Sequence, residues 1–361
     1  MLNFRLAAVV AAVGVVAGPA AASAMADDGA VFTQTNDPAG NAVQKFNRGG
    51  DGTLTPAGTF PTGGAGLSTL GGRQGAVELS DDEENVYAVN AGSNTVTAFR
   101  LRRGLDVVGT VGSGGVAPVS VDEQDGRVYV LNSGDAANVT AFRVGRRGAL
   151  TPISRGTRAL PGALGPAQVS VSPDGDWLVV SERESNRLEA LPLDAAGRPG
   201  APVVTASSGT VPFGFGFGRR GEVIVSEAGA STVSSYRLER GGALAAITSS
   251  LAVNQGAACW VAVSPNGRFA YTGNASGSIS GFAVARNGSL AALDADGLSA
   301  SVVPTPRDLD FSREGRYLYA VSPGNATTGG RVTGYRVSRD GSLAEITSAP
   351  AAAGITGAAG A

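Results

Sequence analysis

Histidine is absent from this 361-residue chain, and cysteine and lysine each occur once, as Cys259 and Lys45. The lack of histidine removes the commonest general base and the commonest metal ligand. A single thiol cannot form an internal disulfide, so the fold must be held together by its core. These absences exclude serine–histidine triads and histidine-based zinc sites. We therefore expect neither a metal nor a cofactor.

A strong excess of charge of either sign is also missing. The chain has 28 basic and 30 acidic side chains, for a net charge of −2. This balance gives no basis for a nucleic-acid partner or an anionic membrane surface. The dense carboxylate run Asp81-Asp82-Glu83-Glu84 is interpreted as a solvated turn rather than a calcium site. We expect a monomer whose partner is a small-molecule ligand or an extracytoplasmic protein.

Apolar character is concentrated in one short segment near the start of the sequence. Arg5 precedes an apolar run from Leu6 to Ala17, and a Gly18-Pro19 break and small residues lead to Ala24-Met25-Ala26. The run is shorter than the ~20 residues needed to span a bilayer. This pattern predicts a signal peptide over residues 1–26, cleaved after Ala26, and a secreted or periplasmic protein without an integral membrane anchor. A retained N-terminal anchor is the alternative.

The rest of the chain is organised by an internal repeat that occurs seven times. One recurring segment, such as NTVTAF (94–99) or GRVTGY (330–335), ends in a large residue. A β-rich run such as NVYAVN or DWLVVS precedes it, and an alternating stretch ending in a turn, such as AQVSVSPDG, lies upstream. Four short strands per unit of ~48 residues, without helical periodicity, predict the blades of an all-β, seven-bladed β-propeller over residues 27–361. The large residues that end the segments are Phe46, Phe99, Phe142, Leu191, Tyr236, Phe282 and Tyr335.

The two ends of the repeat array predict how the ring closes. The first unit lacks an inner strand ahead of Val31, whereas the last unit is complete by about Ser348 and leaves the tail AAAGITGAAGA. We expect Gly354 to Gly360 to supply the missing inner strand of blade 1.

The glycine-rich segment Gly216 to Gly221 spells GxGxxG, the spacing of a dinucleotide-binding loop. Such a loop opens a helix, but here the strand-like EVIVS follows. The repeat places Phe213 to Gly218 on the inner strand of blade 5, where glycine permits close approach of backbones.

The repeats VYAVNAGSNTVTAF and RYLYAVSPGN, following inner strands of the type VSVSPDG, resemble blades of the lactonase family of seven-bladed propellers. That family includes bacterial 6-phosphogluconolactonase-like proteins and fungal carboxymuconate cyclases, and it overlaps the YVTN-type surface repeats. The resemblance covers residues 30–350. It implies a site on the face formed by the loops that enter the inner strands and the loops that join the second and third strands.

The resemblance also implies a catalytic group of one histidine, two arginines and one glutamate. At the three positions of the histidine and arginines, this chain has Pro166-Ala167, Pro212-Phe213-Gly214 and Gly273-Asn274-Ala275-Ser276. The glutamate matches Glu227, and Arg307 carries a Pro-Arg motif in another blade. Glu227 and Arg307 are therefore the candidate catalytic residues. The candidate ligand-binding residues on that face are Glu182, Arg183, Arg187, Cys259, Trp260, Asn274 and Asp308.

Two functions are compatible with these residues. Because three of the four catalytic positions are not filled, the first is an exported protein that uses its channel-mouth face for binding or as a scaffold. The alternative is a lactone hydrolase or cycloisomerase acting on a small sugar-acid lactone, with Glu227 as acid or base.

Overall fold

The computed structural model describes residues 27–67 and 74–361. The predicted signal peptide at 1–26 lies outside the described residues. Within them, no helix is long and apolar enough to cross a membrane.

Seven antiparallel sheets form a ring of blades, six with four strands and one whose outer edge is split between two short strands, which confirms the predicted seven-bladed propeller. Blade 1 contains β1 (Asp27–Gln34), β2 (Ala42–Gly49) and β3 (Leu54–Pro61). Blade 2 contains β4 (Val77–Leu79), β5 (Asn85–Asn90), β6 (Thr95–Leu101) and β7 (Leu105–Gly112). Blade 3 contains β8 (Val116–Gln124), β9 (Arg127–Gly134), β10 (Asn138–Val144) and β11 (Leu150–Ala159). Blade 4 contains β12 (Pro166–Val171), β13 (Trp177–Glu182), β14 (Arg187–Pro192) and β15 (Val203–Ala206).

The remaining blades follow the same order along the chain. Blade 5 contains β16 (Pro212–Phe217), β17 (Glu222–Glu227), β18 (Thr232–Leu238) and β19 (Leu244–Ala252). Blade 6 contains β20 (Ala258–Val263), β21 (Phe269–Asn274) and β22 (Ser278–Val284), and its outer edge is divided between β23 (Leu290–Ala292) and β24 (Ala300–Ser301). Blade 7 contains β25 (Asp308–Phe311), β26 (Tyr317–Asn325), β27 (Gly329–Val337) and β28 (Leu343–Ala351). The last strand, β29 (Thr356–Gly360), returns to blade 1.

Burial within each blade follows from the position of the strand in the ring. The second strand is covered on both faces by neighbouring blades, and all six residues of β5 are buried. The fourth strand is at the outer edge and is mostly exposed, as in β11, where seven of the ten residues are exposed. The turns between first and second strands use glycine in the left-handed region, for example Gly175 at φ +75° and Gly267 at φ +66°.

The hydrophobic core consists of layers between adjacent blades. One layer joins blades 3 and 4 through Val139, Val169 and Leu178, and another joins blades 7 and 1 through Phe46 and Tyr319. The large residues that end the repeated segment lie in these layers, and each is at most 2% exposed. The repeat therefore marks the packing positions between blades.

The ring closes as the two ends predict, through β29. This strand pairs antiparallel with β1, with Val31 opposite Gly360 and Phe32 opposite Ala359. The strand begins two residues after the predicted Gly354, because Gly354 has φ +80° and turns the chain into the ring. Ile355, just before the strand, is fully buried between blades 7 and 1.

The GxGxxG segment runs from an inner strand into the turn that follows it, and a strand rather than a helix comes next: Gly216 and Phe217 end β16, one residue short of the predicted Gly218, and β17 starts at Glu222. Gly216 belongs to the inner strand β16, and a Cβ atom at this position would lie 2.8 Å from Cγ2 of Val263 on the next blade. Glycine is used there because the backbones of two inner strands approach closely.

Candidate functional site

The inner strands of all seven blades surround a central channel that encloses a cavity of about 210 Å³. Four carboxyl groups line it: Glu78 of blade 2, Asp122 of blade 3, and Asp308 and Asp310 of blade 7. Among residues 27–67 and 74–361, no three metal-ligating side chains converge on one point. The four acids come from three blades of the ring.

The three aspartates link neighbouring blades through backbone amides. The amide of Val171 in blade 4 donates to Oδ2 of Asp122 at 2.6 Å. The amide of Ala358 donates to Oδ2 of Asp308 at 2.9 Å, and that of Gly360 donates to Oδ2 of Asp310 at 2.7 Å. Because Ala358 and Gly360 lie on β29, the channel acids of blade 7 also hold the closing strand.

Burial in the channel raises the pKa of all four acids. Burial raises the pKa of Asp122 and that of Asp310 to about 7. It raises the pKa of Glu78 and that of Asp308 well above their usual values, and neighbouring channel aspartates contribute to the rise at both residues. Desolvation disfavours the charged form, so the channel holds protons near neutral pH.

Gln74 crosses the channel and narrows it. Its side-chain amide exchanges hydrogen bonds with both backbone groups of Val261 in blade 6, and the Val261 amide donates to Oε1 at 2.9 Å. These residues are 187 positions apart in sequence. Gln74 therefore links blades 2 and 6 directly across the ring.

At the channel mouth, two arginines flank a pair of aromatic rings and a thiol. We call Arg183, Phe213, Cys259, Trp260 and Arg307 the arginine–aromatic shelf. The Phe213 and Trp260 rings meet edge to face, with centroids 5.8 Å apart. The guanidinium of Arg183 lies 5.5 Å from the Phe213 centroid, and that of Arg307 lies 5.7 Å from the Trp260 centroid.

The charges on the shelf are incompletely neutralised. Arg307 is half-buried, and within the described ranges it forms no ion pair. Arg183 donates from Nε to the Gly165 carbonyl at 3.1 Å, and its nearest carboxylate is that of Glu184 at 3.9 Å. Among the residues that the structure describes, the buried indole nitrogen of Trp260 has no hydrogen-bond acceptor. This arrangement can accept an anion.

Cys259 is a packing residue of the shelf and not an activated thiol. Burial raises the pKa of the Cys259 thiol to about 11, although the positive charges of Arg307 and Arg183 act in the opposite direction. The side chain is 8% exposed, and it donates to the Ala257 carbonyl at 3.3 Å. At neutral pH the thiol is protonated, so it is a poor nucleophile.

Glu227, the candidate base, is fully buried at the end of β17 and accepts five hydrogen bonds. Among the donors are the Gly209 amide at 2.7 Å and the Ser234 hydroxyl at 2.8 Å. All five come from β18 or from the loop that enters blade 5. The carboxylate therefore fastens this loop to its blade, and its catalytic role stays a prediction.

The position of Glu227 is occupied by a buried polar residue in other blades too. Asn90 in blade 2 donates to two threonine hydroxyls of the third strand at 3.1 and 2.9 Å. Asn274 in blade 6 donates to two serine hydroxyls at 3.0 and 2.8 Å. This contact ties the second strand to the third, so a polar residue at the position is part of the blade architecture. Asn274 is fully buried by it.

In blade 4 the same position is Glu182, which pairs with the predicted Arg187. Nε of Arg187 lies 2.7 Å from Oε2 of Glu182, and its Nη2 lies 3.1 Å from Oε1 of Glu189. Both glutamates are fully buried. Burial, and then the neighbouring Glu182 carboxyl, raise the pKa of Glu189 to about 8. Glu182 and Arg187 are therefore part of a buried ion-pair cluster within blade 4.

The structure therefore divides the predicted site residues into three groups. Arg183, Cys259, Trp260 and Arg307 meet at the shelf, and Asp308 lies in the channel. The other four residues lie inside single blades, where the second strand contacts the third: Glu182, Arg187, Glu227 and Asn274. The sequence reasoning did not identify Phe213 as a shelf residue, nor Gln74, Glu78, Asp122 and Asp310 as channel residues. The sequence signal for the channel acids was the alternation of polar and apolar residues along the inner strands, because the polar residues of these strands point to the channel axis.

Comparisons with known proteins agree with this architecture. The model of the family described as lactonase, 7-bladed beta-propeller matches residues 39–162 and 151–261, which together span more than half of the chain. No curated protein matches the chain. A putative 6-phosphogluconolactonase from Bacteroides uniformis is 19% identical and has a TM-score of 0.74, with 90% of this chain and 97% of that chain covered. The Pseudomonas aeruginosa periplasmic gluconolactonase PpgL is 17% identical, with a TM-score of 0.70 and coverage of 91% and 98%. The family match and the seven-bladed ring lead to one conclusion: the chain belongs to the lactonase family of seven-bladed β-propellers.

Proposed function

We propose that the arginine–aromatic shelf binds a small carboxylate-bearing ligand, and that binding is the main function of the channel mouth. The observation that carries this proposal is the meeting of Arg183 and Arg307 beside two aromatic rings. An arginine fork binds carboxylates with two hydrogen bonds. The partly buried setting lowers the effective dielectric and strengthens that attraction. The apolar faces of the rings suit the carbon skeleton of the ligand. A protein partner with an exposed acidic side chain is the other occupant that this chemistry fits.

Ligand-dependent stabilisation tests this proposal. We expect gluconate or a related small carboxylate to raise the melting temperature of the wild-type chain, and Arg307→Ala to weaken binding about tenfold or more because a charge-assisted contact is lost. Arg183→Ala is expected to act in the same direction. Arg146→Ala removes an exposed arginine in blade 3 and should leave binding unchanged. Equal binding by the Arg307 and Arg146 variants would contradict the proposal.

Lactone hydrolysis or cycloisomerisation is the second candidate function. Membership of the lactonase family favours it, and the similar Pseudomonas aeruginosa protein is named as a periplasmic gluconolactonase. In this mechanism the shelf arginines stabilise the developing oxyanion, and Glu227 takes a proton from the attacking water. The five donors around Glu227 must then release it toward the shelf, because the carboxylate is fully buried.

A pair of isosteric substitutions tests the enzymatic role. If the chain hydrolyses δ-gluconolactone, Glu227→Gln should lower the rate per folded molecule by 10²-fold or more, a loss typical of removing general acid–base catalysis. Glu182→Gln is the matched control, because Glu182 occupies the equivalent position at the end of the second strand of blade 4. We expect both variants to melt a few degrees lower, since a buried amide faces hydrogen-bond donors. Equal rates in the two variants would exclude Glu227 as the base.

We also propose that the chain is exported and acts as a secreted or periplasmic protein. The support is the charge, apolar and small-residue pattern of residues 1–26 and the similarity to the periplasmic gluconolactonase of Pseudomonas aeruginosa. The mass of the mature protein recovered from its native host checks this, with an N-terminus at Asp27 as the expected result. Recovery with residues 1–26 still attached would contradict cleavage.

A further inference from the structure

The face opposite the channel mouth carries a groove lined by four arginines. Arg219 and Arg220 lie in the turn between β16 and β17, Arg268 lies in the turn between β20 and β21, and Arg286 follows β22. The groove has a volume of about 810 Å³ and lies between blades 5 and 6. All four arginines are exposed. We call this feature the arginine groove.

The four positive charges have no acidic partners among the described residues. In the parts of the chain that the structure describes, none of them lies within 4.0 Å of a carboxylate oxygen. The one acid lining the groove is Glu222, which accepts the backbone amide of Arg220 at 3.0 Å. Like charges gathered along a cleft focus a positive potential that attracts anions.

Backbone contacts hold two of the guanidinium groups at the groove. Arg220 donates from Nη1 to the backbone carbonyl of Arg286, which holds its guanidinium at the loop after β22. Arg268 donates from Nη2 to the carbonyl of Arg339 at 3.3 Å, and its guanidinium lies 5.2 Å from the Phe269 ring centroid. These contacts use few of the five N–H donors of each guanidinium and leave the others for a ligand.

The rest of this face argues against a flat anionic partner. The equivalent turns of blades 2 and 4 carry acidic residues, including Asp81, Asp82, Asp174 and Asp176. A membrane laid across the face would meet these negative charges as well as the arginines. A linear ligand confined to the groove between blades 5 and 6 would avoid them.

We propose that the arginine groove binds a linear anionic polysaccharide. Its arginines supply forks for carboxylate or sulfate groups along the polymer, and the side chains of Val284 and Ala285 give a small apolar floor for sugar rings. None of the described residues that line the groove is aromatic, so bases of a single-stranded nucleic acid have no ring on which to stack. This site is independent of the shelf on the other face.

Affinity measurements on the full chain test the proposal, with oligogalacturonate as a carboxylated probe and a heparin oligosaccharide as a sulfated one. We expect at least one probe to bind at about 50 mM salt, with affinity that falls steeply by about 500 mM. The double variant Arg220→Gln/Arg286→Gln should bind about tenfold or more weakly. Arg143→Gln/Arg146→Gln removes two exposed arginines of blade 3 and should bind like the wild type. A preference between the two probes identifies the anionic group.

Several results would overturn the proposal. These are no binding of either probe at low salt, equal binding of uncharged dextran, or equal losses in the two double variants. Tighter binding of single-stranded DNA or of anionic vesicles would identify a different class of partner. Salt-sensitive dimerisation that buries the arginine groove would show that a second copy of the chain occupies it. Unchanged melting temperatures of both variants separate lost binding from lost folding.

Discussion

Deletion of residues 352–361 is expected to lower the melting temperature by roughly 10–20 °C. The segment contributes Ile355, which is fully buried, and β29, which pairs with β1 and whose backbone amides donate to Asp308 and Asp310. Loss of a buried isoleucine costs about 2–5 kcal/mol, and each lost hydrogen bond costs about 1 kcal/mol. The combined loss is a large fraction of the ~5–15 kcal/mol that stabilises a typical domain, so the ring should open at moderate temperature.

Two further measurements test whether the effect of the deletion on the melting temperature comes from the loss of ring closure. A synthetic peptide of residues 352–361 added to the truncated chain should restore part of the melting temperature, because it can occupy the vacant edge of β1. Ile355→Ala should produce an intermediate shift, whereas Ala353→Ser, at an exposed position of the same segment, should have none. An unchanged melting temperature after truncation would show that β29 does not stabilise the ring.

The second large effect is a loss of stability as pH rises from about 5 to about 8. Burial raises the pKa of Asp122 and that of Asp310 to about 7 in the folded state, whereas an unfolded aspartate titrates near 3.9. Between these values the folded chain binds more protons than the unfolded chain, so the free energy of unfolding decreases with pH. The contribution is complete below about pH 4 and is lost as pH rises through about 7.

Melting curves at several pH values check this prediction. The melting temperature at pH ~8 should be roughly 10 °C below that at pH ~5. Asp122→Asn keeps an acceptor for Val171 and Ser170 but removes a titrating group, so it should flatten the pH dependence. Asp135→Asn, at an exposed loop position of blade 3, serves as the control and should leave the dependence unchanged. A flat wild-type profile would mean that the channel acids are solvated and ionised.

The repeat in the sequence was sufficient to predict the architecture, because the signals that specify a blade are local. Strand alternation, glycine turns and the large residue that ends each repeated segment all lie within one unit of ~48 residues. Phe46 and Tyr335 illustrate this, since both were identified by position in the repeat and both lie in layers between blades. The closing strand was predictable from the missing inner strand of the first unit.

The functional surfaces depend on contacts that no local pattern records. The shelf joins residues of four blades, from Arg183 to Arg307, and its two arginines were predicted without the Phe213 ring that lies between them. Glu227 matched a family position in sequence, but the five donors that bury it became apparent only in three dimensions.

The sequence by itself determined a seven-bladed ring closed by its own C-terminal segment, because hydrophobic periodicity and turn residues act over a few positions. Only the tertiary structure decided which polar groups share an environment. Asp310 and Gly360 are 50 positions apart, and Gln74 and Val261 are 187 positions apart, yet each pair forms a hydrogen bond. Their burial, and hence the proton affinity of the channel and the charge of the shelf, depends on how all seven blades pack around one axis.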